Sequence, residues 1–347
     1  MGYRSLRAIS ALALVLGGLG IPPPAACQTP AAPGTTQVAA NRAPAAATWT
    51  LPRTPDGQPD LQGLWTNATL TPFERPKEFA GKEFFTEQEA VEFARRVLDN
   101  ANRDRRGTTP EADVAGSYNE SWFDRGTAVA PTRRTSIVID PPDGRVPPLT
   151  PEARKTMAAL AAIRRRPPEG PEDLGLQDRC IIWPTAGPPM VPAGYNNNYL
   201  ILQTPQYVAI LIEMIHDVRI IPLDGRPHLP QSIRQWMGDS RGHWEGDTLV
   251  VDTTNFTDKT HFRGSDQNLH LTERFRRTGP DTIEYRFTVD DPTAFTRPWT
   301  GEISMLKTPG PIYEYACHEG NYAMTNVLSG ARAQEKAAAE AAKKGSK

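Results

Sequence analysis

The sequence predicts a mainly β fold of the α+β type, in which an antiparallel meander curls into a barrel or sandwich and two helices precede it. From residue 180 onwards, short runs rich in Ile, Leu and Val follow one another at close spacing. The 34 prolines are about twice the usual share and favour extended structure over a helical bundle. Before residue 180, two segments carry helix signals instead.

The first 27 residues have the pattern of a secretory signal peptide. Two arginines precede an apolar run over residues 9–21, which is too short to span a bilayer as a mature helix. Small residues follow, so we expect cleavage around residues 26–28 and a periplasmic or secreted protein. A lipid anchor at Cys27 is the alternative, and no later segment is apolar enough to cross a membrane.

The remaining chain divides by composition. Residues 28–50, rich in Ala, Pro and Thr, are expected to form a disordered linker. A single β-rich domain should follow over residues 51–330, and a charged, Ala-rich tail over residues 331–347. The first strand is expected at Gly63-Leu64-Trp65, whose Gly-x-Trp triplet resembles the opening strand of lipocalins.

Local signals place both helices and the strands. Thr86 and Glu89 fit a capping box for a helix that runs to about Arg105. A second helix should begin at Thr150-Pro151 and end at the basic residues 164–166. Strands are expected over residues 135–140, 199–203, 207–222, 249–252, 269–276, 282–289, 299–306 and 312–317. The glycine-rich residues 238–247 are expected to form a tight loop or hairpin.

Beyond the signal only two cysteines remain, Cys180 and Cys317. In an exported protein they can form a disulfide, which would close a loop of about 137 residues and contribute about 4–5 kcal/mol by loop entropy. Two unpaired buried thiols are the alternative. Two distant cysteines cannot build a zinc knuckle.

The net charge of −1 gives no electrostatic reason to expect a nucleic-acid partner, so a small molecule is the expected ligand or substrate. The chain has no Gly-x-Ser-x-Gly elbow, no dinucleotide-binding glycine motif and no phosphate loop. Five of the six histidines lie between residues 207 and 273. None has the spacing of a known metal motif, so no cofactor is assigned and a divalent metal stays an open alternative.

Alternation along residues 207–222 separates two faces if the segment is one strand. Glu213, Asp217 and Arg219 would then line a pocket or a solvated face, and His216 would lie at the edge of the core. Glu273 falls among apolar neighbours on its own strand. It could be a general acid kept protonated by burial, or the partner of a buried arginine such as Arg219, Arg263 or Arg286.

Loops and aromatic residues supply further candidates. His243 and Glu245 share a side of an extended segment, which suits a His–carboxylate relay. His228 follows a turn at the expected barrel rim. Aromatic residues are frequent in the C-terminal half, and beside carboxylates and Asn196-Asn197-Asn198 they would suit a sugar or a phenolic ring.

Four segments together resemble a large group of exported bacterial proteins of unassigned function. They are Pro55–Gly63, Asp140–Arg145, His216–His228 and the run His243-Trp244-Glu245-Gly246-Asp247-Thr248-Leu249-Val250-Val251-Asp252-Thr253-Thr254-Asn255-Phe256. The resemblance covers most of the chain beyond residue 50. It implies export and a single domain, and it implies no reaction.

The leading hypothesis is an exported enzyme, a lyase, isomerase or hydrolase, acting on a carbohydrate-like or phenolic substrate by acid–base chemistry. Its catalytic candidates are His216, Asp217, His243, Glu245, His261 and Glu273. Its substrate-binding candidates are Glu213, Arg219, Arg226, His228, Trp244, Tyr315 and His318. The alternatives are a non-catalytic, lipocalin-like envelope protein that binds a ligand, and a His-ligated metalloenzyme. Convergence of three histidines in one concavity would favour the enzyme, and dispersal the binder.

Overall fold

The computed structural model describes residues 49–345, apart from 106 and 117. Its strands form one antiparallel sheet that rolls into a nearly closed barrel, which confirms the predicted fold class. The predicted signal peptide (1–27), its Cys27 and the linker up to residue 48 lie outside the described residues. Among the described helices, none combines the length and apolar character that crossing a bilayer requires.

The elements follow in a simple order. The strands are β1 (Gly63–Thr66), β2 (Val138–Asp140), β3 (Asn198–Gln203), β4 (Tyr207–Ile212), β5 (Val218–Pro222), β6 (Asp239–Glu245), β7 (Thr248–Thr254), β8 (His270–Gly279), β9 (Thr282–Asp290) and β10 (Trp299–Lys307). The helices are α1 (Glu87–Ala101), α2 (Pro110–Gly116), α3 (Pro151–Arg165) and α4 (Ala323–Gly345). Around the barrel the order is β5-β4-β3-β1-β10-β9-β8-β7-β6, with β2 paired to β10.

The two edge strands, β5 and β6, close the barrel through side chains. A Cβ on Gly242 of β6 would lie 2.8 Å from a methyl carbon of Ile221 and 2.7 Å from one of Leu223. Nη2 of Arg219 on β5 donates to Oγ of Ser240 on β6 at 3.3 Å. Glycine at position 242 therefore lets the two edges approach closely.

The barrel interior is filled by large side chains, as period-two alternation requires. On β9, Ile283, Tyr285, Phe287 and Val289 are all fully buried. The ring of Trp299 meets four aromatic rings at centroid distances of 5.8–6.1 Å. These contacts join β9 and β10 to the loops around the barrel.

Both predicted helices form. The Thr86 hydroxyl accepts from the Glu89 backbone N–H at 3.2 Å, and the Glu89 carboxylate accepts from that of Thr86 at 2.8 Å, so the capping box is confirmed. Helix α1 buries Phe93 against other phenylalanines and ends at Ala101, before the expected Arg105. Helix α3 has the expected proline start and basic end.

The prediction of one strand over residues 207–222 is wrong. The chain reverses between Ile212 and Val218, and the turn holds Ile215 and His216 at φ values of 58° and 47°. Two neighbouring non-glycine residues in the left-handed region are unusual, especially when one is β-branched. The segment is thus a hairpin of β4 and β5.

This hairpin changes which side chains face the core. Ile210 pairs with Arg219 across the two strands, so both point to the same buried face. His216, expected at the core edge, lies exposed in the turn. The predicted row of Glu213, Asp217 and Arg219 is wrong because alternation does not continue through a turn.

Four further segments can be compared with the sequence prediction. Residues 239–245 form strand β6, which ends in the expected Gly246-Asp247 turn. Residues 312–317 contain no strand, and β2 begins at Val138 rather than at residue 135. Helix α4 begins at Ala323, within the expected domain, and continues through most of the predicted tail.

Candidate functional site

A buried ion pair crosses the barrel interior. The guanidinium of Arg219 on β5 donates to both carboxylate oxygens of Glu273 on β8, at 3.0 and 2.5 Å. The Tyr285 hydroxyl donates to the same carboxylate at 2.8 Å and accepts from the Met190 backbone N–H at 2.9 Å. Burial, followed by the nearby Glu273 charge, raises the pKa of Tyr285 well above its usual value.

This network assigns Glu273 and Arg219 to the barrel interior rather than to a solvent-accessible site. Both side chains are almost completely inaccessible. Of the two roles considered for Glu273, pairing with a buried arginine is therefore the observed one, and Arg219 is that arginine. A substrate would have to open the barrel to reach either group.

Two histidines and two aspartates form a chain on the outside of the sheet. His228 contacts Asp239 through Nδ1 at 3.0 Å and Asp252 through Nε2 at 2.8 Å. His270 Nε2 contacts the second oxygen of Asp252 at 2.5 Å. This hydrogen bond raises the pKa of His270 against the opposing effect of burial.

The same contacts act on Asp252. Burial favours its neutral form, but the hydrogen bonds from His270 and His228 outweigh this and lower the pKa of Asp252. His228 belongs to the loop after β5 and contacts both Asp239 on β6 and Asp252 on β7. These side-chain contacts therefore hold that loop against the sheet. The sequence prediction included His228 but missed both aspartates, although the expected strand at 249–252 ended on Asp252.

The predicted pair His243 and Glu245 lies elsewhere on the outer surface. The His243 ring contacts Glu245 at 3.1 Å, and Arg274 donates to the same carboxylate. The hydrogen bond from Arg274 has the larger effect and that from His243 the smaller, and both lower the pKa of Glu245. About half of each side chain is exposed, so this is an ion-pair ladder across β6 and β8.

Four other predicted residues do not meet one another. Arg226 pairs with Asp224 in an exposed turn, and His318 is exposed near the disulfide. Trp244 packs on the barrel core. His261 lines a small pocket beside α3, and burial lowers its pKa. Apart from His228 and His270, which share Asp252, the histidines are thus dispersed.

A cleft of about 1220 Å³ lies beside the barrel. Six aromatic residues line it: Tyr118, Trp122, Phe123, Trp183, Tyr195 and Tyr315. Amides and carboxylates are interspersed among them: Gln177, Asp178, Asn196, Glu314, Glu319 and Asn321. We refer to this site as the aromatic cleft. Asn196 and Tyr315 were singled out in the sequence, and Trp183 and Tyr195 are among the aromatic residues that are frequent in its C-terminal half.

Three contacts hold the wall that carries Tyr315. The buried carboxylate of Glu213 accepts from the Tyr313 backbone N–H at 3.0 Å and from the Asn198 side chain at 2.8 Å. His216 Nδ1 contacts the backbone carbonyl of Tyr315 at 2.9 Å. Because a carbonyl only accepts, Nδ1 is the donor in this contact. The β4–β5 turn therefore positions one wall of the cleft.

The predicted disulfide supplies the third contact. Cys180 and Cys317 are bonded, with their Cα atoms 5.8 Å apart, across the predicted separation of 137 residues. Cys317 lies in the cleft lining, and Asp178 precedes Cys180 by two positions. The bond therefore joins two walls of the aromatic cleft.

The surroundings of the cleft raise the pKa of a tyrosine hydroxyl that lines it. Burial, together with contact with Tyr195, raises the pKa of Tyr315 to about 12. Tyr195 also packs edge-on against Trp183, with centroids 6.1 Å apart, and against Phe123 at 6.3 Å. These rings form a connected aromatic wall next to hydrogen-bonding groups.

Part of this lining was missed in the sequence. Trp122 and Phe123 lie between the two predicted helices, in a stretch with neither strand alternation nor a recognisable motif. Trp122 is nevertheless 66% exposed within the cleft. A large exposed indole is a signal only once its surroundings are known.

Asp217 is the remaining titratable group near this turn. Burial raises the pKa of Asp217 to about 6, against the lowering effect of His216. Within the described residues, its carboxylate has no hydrogen-bond or ion-pair partner. It follows the strained Ile215-His216 pair, and left-handed strain of this kind is often retained at functional sites.

No group of three or more His, Cys, Asp or Glu in the described ranges is arranged to hold a metal ion. The geometry therefore offers an aromatic concavity suited to a ring-bearing ligand and several separate polar clusters. The chain matches no protein-family model, and no curated protein is similar enough to it to count as a match.

Proposed function

We propose that this protein binds a small ring-bearing molecule, either sugar-like or phenolic, in the aromatic cleft. The cleft itself is the main support, because six aromatic rings and several amides and carboxylates face one open space. Ring faces stack on sugars and phenols, and neighbouring polar groups fix their hydroxyls. The dispersal of the histidines favours binding over histidine-based catalysis.

The barrel interior supports the same choice of site. In a lipocalin-type binder the ligand would enter the barrel. Here the Arg219–Glu273 pair and the aromatic core occupy that space. A ligand would therefore bind in the aromatic cleft beside the barrel rather than in the barrel interior.

Trp122 provides a direct test. Trp122→Ala removes a side chain that is largely exposed and should leave the fold intact, while weakening ligand binding roughly 3- to 10-fold through loss of one stacking contact. Intrinsic fluorescence and calorimetry would be measured with a panel of monosaccharides, glycosides and phenols. Trp49→Ala, also an exposed tryptophan but outside the cleft, is the matched control. If Trp122→Ala bound the ligand as tightly as Trp49→Ala and the wild type, the cleft would be refuted as the site.

An enzymatic role is the second candidate, and Asp217 is the observation that favours it. An unpartnered carboxyl group whose pKa is about 6 can exchange protons near neutral pH. It adjoins the turn that contacts Tyr315. Asp217→Asn should abolish turnover of a glycoside or aromatic ester, whereas His243→Ala should not. A fully active Asp217→Asn variant would refute this role.

We also propose that the protein is exported to the periplasm or the medium and belongs to the exported bacterial group that it resembles. The disulfide supports export because such bonds persist in oxidising compartments. Mass spectrometry of the mature N-terminus would distinguish simple cleavage from lipidation at Cys27. An uncleaved N-terminus would contradict export.

A further inference from the structure

A second, smaller cavity lies between helix α3 and the loop after β7. Its volume is about 190 Å³. Leu174 and Gln177 line both this cavity and the aromatic cleft, so the two are neighbours with a common wall. We refer to it as the basic pocket.

The charges of the basic pocket are unbalanced. Arg164 and Lys259 line it, and within the described residues neither has an ion-pair partner. The two acidic residues of its lining each lie near an arginine: Glu172 is 3.8 Å from Arg179, which also lines the pocket, and Asp173 is 3.5 Å from Arg166.

His261 completes the polar lining. Its ring has no hydrogen-bond partner in the described part of the chain. Burial lowers the pKa of His261, and Arg164 from helix α3 lowers it further. Asp266 and Asp258, which lie in the same loop as His261, raise it. Lys259 also lines the cavity. An anion beside His261 would offset the unfavourable effect of Arg164 on the charged form of the ring.

The remaining wall is apolar. Leu160 and Ile163 of α3, Leu176 and Pro184 contribute it. Hydrocarbon surface next to two cations matches a ligand that carries one negative group on a short apolar body. A fully hydrated inorganic anion would gain nothing from this wall.

We propose that the basic pocket binds the carboxylate of a small organic acid, with Arg164 and Lys259 providing the positive charge and His261 a ring N–H. This site is independent of the aromatic cleft and of whatever ligand that cleft takes. Binding requires no covalent step.

The test uses the full mature protein and follows the His261 ring by NMR, with His261→Gln to assign its signal. Butyrate is the probe, butylamine is its cationic counterpart of equal length, and inorganic phosphate lacks the apolar body. We expect saturable shifts and a higher pKa of His261 with butyrate, no effect of butylamine, and weaker binding of phosphate.

Matched lysine variants locate the site. Lys259→Met should weaken butyrate binding roughly five-fold, the upper range for one exposed charge pair. Lys155→Met, at an exposed lysine of α3 outside the pocket, should leave it unchanged. Absence of a saturable shift, equal binding in the Lys259→Met variant, or phosphate binding as tightly as butyrate would each overturn the proposal.

Discussion

Arg219 and Glu273 lie on strands at opposite parts of the sheet order, yet their side chains meet inside the barrel at 2.5–3.0 Å. The contact is bidentate, and Tyr285 and Ser240 add one hydrogen bond each, to Glu273 and from Arg219 respectively. It links β5, at one edge of the sheet, to β8. The pair therefore helps to hold the nearly closed barrel together from within.

Glu273→Gln should destabilise the protein by about 3–5 kcal/mol, because it leaves the Arg219 charge buried without its partner. Urea unfolding at pH 7 measures this change. Glu245→Gln is the matched control, since that carboxylate also pairs with an arginine but lies exposed, and its removal should have little effect. The double variant Arg219→Met with Glu273→Leu should recover most of the stability; a double variant as unstable as Glu273→Gln would contradict the explanation.

Asp217→Asn should stabilise the folded protein at pH 8 by about 1–2 kcal/mol, discounted for partial solvation. The folded-state pKa of Asp217 is about 6, above the ordinary aspartate value of 3.8, so wild-type stability falls as the pH rises from about 4 to 6. The variant lacks this loss, and the two proteins should become similar near pH 3.5. Thermal unfolding across this pH range decides the matter, and a variant that is less stable at pH 8 would show that the carboxylate is favourably paired.

His270→Gln should remove stability at mildly acidic pH. The pKa of His270 is raised by Asp252 in the folded state, so its contribution is fully present below about pH 6.5 and disappears as the pH rises through the folded-state pKa. The lowered pKa of Asp252 adds stability that is lost only as the pH falls below the ordinary range of aspartate.

The difference between wild type and His270→Gln is therefore expected near pH 5.5–6, with at most about 1 kcal/mol for this half-exposed pair. It should vanish at pH 9. Urea titrations at both pH values measure it. His318→Gln, at an exposed histidine whose side chain has no partner among the described residues, is the control, and an equal loss at pH 9 would argue against an ionic contact.

Cys180→Ser combined with Cys317→Ser should reduce stability by about 4–5 kcal/mol, the loop-entropy value for a separation of about 137 residues. It should also weaken ligand binding in the aromatic cleft, since the bond joins two of its walls. Calorimetry on the folded variant separates the two effects. Unchanged affinity would show that the walls keep their positions without the bond.

Local patterns accounted for much of this fold before any tertiary contact was known. Helix caps at Thr86 and Thr150 depend on neighbouring residues, and so do the alternation of β9 and the turn at Gly246-Asp247. These features involve interactions within a few residues. The antiparallel barrel class followed from many short strands in succession, and the pairing of Cys180 with Cys317 from there being only two cysteines beyond the signal.

Tertiary structure alone decided which candidate residues belong together. A reversal at Ile215 and His216 turned one expected strand into a hairpin. This exchanged the buried and exposed faces of β5, so that Arg219 reached Glu273 inside the barrel. The aromatic cleft joins residues from Tyr118 to Val327. Contacts over such separations depend on how strands register and where loops pack, and neither periodicity nor spacing encodes them. The sequence by itself determined the class of fold and the residue types available for chemistry, whereas folding determined which of them share a site.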